Sequence, residues 1–130
     1  MATEILINDG GAPARILPYT TAEAITAGDA CSLNTNGLLQ QADSDDTGFD
    51  FAYVGVALTD AASGAVCSVV TGVGVILNIN SDDVGAGVAL MMGATAGRLT
   101  TATNAAGAPK CQAVTLENNA AAGLTKCQTL

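Results

Sequence analysis

Short apolar runs alternate with clusters of turn-forming residues along the whole chain. Glu4-Ile5-Leu6-Ile7 is a first apolar run, and Asn8-Asp9-Gly10-Gly11-Ala12-Pro13 ends it with six turn-forming residues in succession. Arg15-Ile16-Leu17-Pro18-Tyr19 is a second extended run, and its proline argues against helix. Residues 1–26 therefore read as an extended N-terminal arm of two pieces on a joint. From residue 27 the pattern predicts strands over 29–33 and 38–42. Between them lies Asn34-Thr35-Asn36-Gly37, whose Asn-Gly pair supplies the positive φ values of a tight hairpin. Further strands are predicted over 53–58, 66–70 and 72–79. The last is the most apolar, β-branched through its centre, with glycines that mark a bend. Turn signals at this spacing are those of an all-β barrel or sandwich. The Ala-rich pieces 105–109 and 120–123 are too short for a helix and are broken by Gly or Pro. One helical turn near 59–63 or 118–122 is the most the sequence predicts.

The text repeats weakly. Ala27-Gly28-Asp29-Ala30 returns as Ala86-Gly87-Val88-Ala89, and Gly64 returns as Gly123, both at an offset of 59. Each half holds a turn glycine, Gly37 and Gly97, and a strand ending in Leu, at Leu58 and Leu116. The prediction is a single β domain over 27–130, built of two related β-units at about 27–80 and 86–130.

Composition changes this picture in three ways. Leu, Ile, Val and Phe together are 30 of 130 residues, while Ala alone is 25, so a monomer's core is thin. A thin core favours self-association or docking on a larger body. Four basic residues against twelve acidic ones give a net charge of −8, with no Lys/Arg cluster, which excludes phosphate-neutralising nucleic-acid binders and anionic membrane surfaces. No window approaches the roughly 18 apolar residues of a membrane-spanning helix. Histidine is absent, so the commonest general base and metal ligand are missing. Lys110 and Lys126 sit in no catalytic motif, and Gly72-Val73-Gly74 lacks the residues of a phosphate loop. The chain reads as non-enzymatic and without a cofactor.

Two constellations call for chemistry of their own. Asp43-Ser44-Asp45-Asp46-Thr47-Gly48 opens like a calcium loop, but the twelfth position, which needs a bidentate Glu, is Val54, so a solvated loop is expected. Cys31, Cys67, Cys111 and Cys127 form no C-x-x-C pair. Met1-Ala2-Thr3-Glu4 carries no basic n-region, no secretory leader is expected, and the thiols read as free, buried small side chains. Cys111 with Cys127 is the pair best placed for a bridge formed after release from a reducing cell, across a predicted hairpin.

Gly28-Asp29-Ala30, the run Val54-Gly55-Val56-Ala57-Leu58-Thr59-Asp60-Ala61-Ala62-Ser63-Gly64 and Val66-Cys67-Ser68-Val69 share a rhythm with the second half. There the counterparts are Gly87-Val88-Ala89-Leu90, Ala113-Val114-Thr115-Leu116-Glu117 and Gly123-Leu124-Thr125-Lys126. This pattern, over about residues 25–130, resembles the small head-decoration, or cement, proteins of tailed bacteriophages with a β-tulip-like fold. The resemblance implies a homotrimer bound to the major capsid protein on the outer surface of the virion, made in the host cytoplasm, that stabilises the assembled shell. The arm supplies the candidate capsid or inter-subunit contacts. Ile5, Leu6 and Ile7 are suited to strand addition. Ile16, Leu17 and Tyr19 are suited to covering an apolar groove, with Arg15 pairing to a carboxylate. The alternative is a fibre or adhesin surface module contacting host glycans, for which the stacking aromatics Tyr19, Phe49, Phe51 and Tyr53 are few. A third reading is a metal-dependent or lipid-binding small barrel.

Overall fold

The computed structural model describes residues 4–7, 13–43, 52–102 and 111–130, and no helix occurs among them. Ten strands run in the order β1 (Arg15–Thr20), β2 (Ala30–Leu33), β3 (Leu39–Gln41), β4 (Tyr53–Ala57), β5 (Val66–Thr71), β6 (Ile76–Ser81), β7 (Ala89–Met92), β8 (Leu99–Thr101), β9 (Ala113–Thr115) and β10 (Gly123–Thr129). β1 to β5 form one sheet in the order β1-β5-β4-β2-β3, and β6 to β10 form a closed barrel in the order β10-β6-β8-β7-β9. Starting the barrel at β6 gives β6-β10-β9-β7-β8, the same order as the sheet.

The backbone bonds repeat with the order. Ala22 N donates to Leu39 O at 2.7 Å, and Asp82 N to Leu99 O at 3.0 Å. Ile25 and Ala61 exchange two backbone bonds, as do Val84 and Asn119. The loop over 59–63 and the loop over 118–122 thus each hold an isolated bridge in place of the expected helical turn. Their polar groups are taken by a distant segment, so a local i to i+4 bond has nothing to add. Parallel pairing of Ser81 with Leu99 closes the barrel, and a single Thr21–Leu39 bridge is its counterpart in the sheet.

The strand predicted over 72–79 is displaced to Ile76–Ser81. Gly72 and Gly74 take φ of 132° and 77°, a left-handed conformation that L side chains avoid, and they turn the chain instead of extending it. The main core draws on both sheet and barrel. Val56, Val70, Val75, Leu77, Ile79, Leu90 and Leu99 are buried there with Ala30, Ala42 and Ala113. A smaller core of Ile25, Cys31, Leu39, Ala57, Cys67 and Val69 lies on the other face of the sheet.

Candidate functional site: the outer strand β1 and the seam cleft

The N-terminal run Ile5-Leu6-Ile7 lies along β6 of its own chain. Leu6 pairs with Leu77, Ile7 N donates to Ile76 O at 3.1 Å, and Asn78 N donates to Ile5 O at 2.8 Å. Asn78 Nδ2 also donates to Glu4 O at 2.7 Å, and the Ile5 side chain is buried in the main core. The other candidate contacts lie on β1, which pairs with β5 from Arg15↔Thr71 to Thr20↔Val66. Arg15 is exposed, Ile16 is half exposed, and Leu17 and Tyr19 are partly buried against the sheet. Among the described residues, β1 has a strand neighbour on one side only.

Comparing the two units explains the character of that free edge. The ladders Thr21–Leu39 and Ser81–Leu99 are related by an offset of 60, which puts Pro18 where Asn78 stands in β6. Asn78 donates its outward N–H to the N-terminal run; Pro18 has no N–H to donate. Strand addition along β1 would therefore lose a ladder bond at its centre, and an edge strand carrying proline is blunted against pairing. What β1 offers outward is side chains.

Charge is distributed unevenly. None of the twelve Asp and Glu residues falls on any of the ten strands, two of which hold Arg15 and Lys126, and the Glu117 carboxylate reaches back onto β10, accepting from Lys126 N at 2.9 Å. Several acids line the turns instead; Asp82, for example, pairs with Arg98 at 3.7 Å. The most exposed large apolar side chains near this surface are Val73 at 74% and Val66 at 64%. Beside it, where the sheet meets the barrel, a cleft of about 220 Å³ is walled by Tyr53–Val56, Val70–Val73, Gln112, Thr129 and Leu130. Sequence reading did not find this cleft, whose walls come from four separate stretches. Its one local signal was the isolated apolar Val73 between two glycines.

Away from this surface, a buried carboxylate ties the two units together. Asp29, 2% exposed, accepts from Thr26 N at 3.0 Å, from Gln41 Nε2 at 2.9 Å and from Asn80 Nδ2 at 3.2 Å. Gln41 belongs to the sheet and Asn80 to the barrel. Gly97 passes close to the carboxylate, so that a Cβ there would stand 3.0 Å from it.

All four cysteines are free. The register rules out the Cys111–Cys127 bridge. Cys127 lies opposite Thr115, and Thr129 opposite Ala113, so Cys111 falls past the end of that ladder. Four residues separate it from the position facing Cys127, roughly 13 Å along a strand, where a bridge needs Cα atoms within about 7 Å. Burial pushes the Cys31 and Cys67 thiols up, helped at Cys31 by the charge of Asp29, and burial with Glu117 nearby pushes Cys127 up to about 12. Burial likewise raises the Tyr53 phenol. No group of three or more His, Cys, Asp or Glu side chains is placed to hold a metal among the described residues. The calcium-like loop lies, beyond Asp43, outside the described residues.

No curated protein matches the chain in sequence. Among solved structures, the N base of the head fiber of bacteriophage phi29 superposes with a TM-score of 0.65 at 11% identity, covering 91% of this chain and 95% of that one. At that identity the likeness speaks for the fold. The family model described as phage cement protein matches residues 12–128, nearly the whole chain and both units. The chain belongs to the phage cement protein family.

Proposed function

We propose that the protein binds the outside of an assembled phage capsid and stabilises it without catalysing a reaction. Family membership already gives a capsid-associated structural role and a place in the virion. The observation that carries the finer reading is the outer strand β1, which presents exposed Arg15 and Ile16 in a chain of net charge −8. A cation beside an exposed apolar side chain suits docking on a partner that offers a carboxylate and an apolar face. Arg15, Ile16, Leu17 and Tyr19 of β1 make the contact through side chains, to the major capsid protein or between copies in a homotrimer. Ile5, Leu6 and Ile7 pair along β6 of their own chain. A binder that recognises only the assembled lattice stabilises that lattice by mass action.

The experiment is co-sedimentation of the protein with undecorated capsid shells and, separately, with free capsid subunits. Binding to shells alone is expected, and Arg15→Glu and Ile16→Asp should weaken it with the fold unchanged. Equal binding by both variants would refute the β1 contact. A second reading is favoured by the structural neighbour: a base module that carries a fibre or adhesin toward host glycans. Binding to glycans with no binding to shells would select it.

A further inference from the structure

The two units meet head to tail, and each side of that meeting has a free counterpart. Within the chain, the loop at Gly28 and the start of β2 seat on a face of the second unit built from β6, β10 and the turn at Gly97. Asn80 N donates to Gly28 O at 2.8 Å, Ala30 N to Gly97 O at 2.9 Å, and Gly97 N to Ala42 O at 2.9 Å. Gly28 lies so close to Leu124 that an added Cβ would overlap it. The ladders identify the counterparts. Leu124 faces Asn80 across β10 and β6, and Val66 faces Thr20 across β5 and β1, so Val66 stands where Leu124 does and Thr20 where Asn80 does. At the other end, Gly87 N donates to Thr115 O as Gly28 N does to Ala57 O, and Ala102 N donates to Ala89 O as Ala42 N does to Ala30 O. Burial separates the counterparts. Gly28 and Gly97 are buried at the seam, whereas Gly87 and Gly37 are exposed, and an added Cβ would meet nothing within 4 Å. Leu124 is partly buried, whereas Val66 is 64% exposed. The blunting of β1 at Pro18 does not reach Thr20. Thr21 N makes the bond toward β5, to Ala65 O at 2.9 Å, and alternate residues of an antiparallel strand point opposite ways, so the Thr20 N–H points outward.

We propose that copies of this chain join by repeating the seam between molecules: the 85–88 loop of one copy seats on Thr20 and Val66 of the next. Gly87 O accepts from Thr20 N, as Gly28 O accepts from Asn80 N. The Gly87 backbone covers Val66, as Gly28 covers Leu124. The turn at Gly37 of the receiving copy meets the start of β7, as the turn at Gly97 meets the start of β2. Where the seam buries Asp29, the loop carries Val88, so the joint brings no carboxylate inside and suits an acidic chain. A contact between two different faces leaves one of each free, so it propagates until a ring closes. Arg15 and Ile16 lie further along β1 and stay available to a shell. The contact rests on the seam inside the chain and not on shell attachment.

Sedimentation velocity of the free full chain tests this, with Val66→Asp on the receiving face and Ala86→Asp in the loop. Val73→Asp, an exposed apolar position beyond the far end of β5, is the control. Val66 and Ala86 are exposed, so both variants should melt like the parent. The parent should associate as its concentration rises. Each variant should associate about tenfold more weakly or worse, a loss of about 1.4 kcal/mol, and Val73→Asp should match the parent. An equimolar mixture of Val66→Asp and Ala86→Asp is decisive. The first keeps an intact loop and the second an intact face, so the mixture should form a dimer and nothing larger. A mixture no heavier than its components would overturn the proposal. So would a monomeric parent, or parent-like association of either variant. Each of these results leaves shell binding by the parent untouched, and a parent that associates without binding shells would keep this contact and lose attachment.

Discussion

Replacing Asp29 with Ala tests how the two units are held together. The carboxylate takes three hydrogen bonds, two of them from side chains on opposite sides of the seam, at 2.9 Å from Gln41 and 3.2 Å from Asn80. A hydrogen bond to a charged group contributes about 1.5–3 kcal/mol. Simple addition would overshoot, because Gln41 and Asn80 are only partly buried and recover some water when the carboxylate is gone. A net loss of about 3–5 kcal/mol follows, against a total stability of roughly 5–15 kcal/mol for a domain. At this chain length each kcal/mol shifts Tm by about 3–4 °C, so Asp29→Ala should melt about 10–15 °C below the parent. Asp29→Asn keeps the shape but turns one acceptor into a donor facing donors, and should fall between the two. Thermal unfolding followed by circular dichroism reads the shift. The double variant with Asn80→Ala should show a coupling of about 1 kcal/mol or more. An Asp29→Ala protein melting within about 3 °C of the parent would refute the reasoning and leave apolar packing as the main tie across the seam.

Gly55→Ala should prevent stable folding, because the added Cβ meets the Val70 carbonyl oxygen, rigid backbone of the neighbouring strand, at a φ of 152°. A soluble Gly55→Ala protein with parent-like Tm would refute the β4–β5 register. The raised thiols set the alkaline limit of stability. They stay protonated in the fold while the unfolded chain ionises from about pH 9, so stability should be full below pH 9 and fall as pH rises toward 12, by urea unfolding at stepped pH. Timed alkylation of native protein read by mass spectrometry should label partly exposed Cys111 first, with Cys31, Cys67 and Cys127 protected until the protein opens. Val75→Asp puts a charge at a fully buried position and should abolish folding, with no cooperative melt.

Local chemistry made much of the fold legible. Asn36-Gly37 announced the hairpin between β2 and β3, and Gly37 takes the positive φ it was read for. β4 and β5 fall within a residue of their apolar runs because both are bounded by turn residues on each side. β8 escaped notice, since three residues, Leu99–Thr101, carry no periodicity of their own. They are a strand only because Met91 and Met92 of β7 pair with Thr100 and Leu99. The glycines of 72–79 were read as a bend inside a strand, whereas two left-handed conformations two residues apart end a strand. The apolar character of Ile5-Leu6-Ile7 was legible; that β6, some seventy residues on, lies beside it was not. The seam cleft was the least legible, because Val73 and Gln112 line it together through the fold and through no spacing in the chain.

The shared strand order has a consequence for how quickly the protein reaches its structure. In each unit the first strand pairs with the last, β1 with β5 and β6 with β10, so neither unit can complete its ladder before about fifty residues have been drawn into a closed loop. Ile5 waits longer still, since its partners on β6 are more than seventy residues away. Such closures lose entropy before any non-local contact compensates, and chains of this kind fold in milliseconds to seconds, where helical bundles take microseconds. During that interval β6 is an apolar strand with an uncovered edge. Docking of residues 4–7 covers that edge.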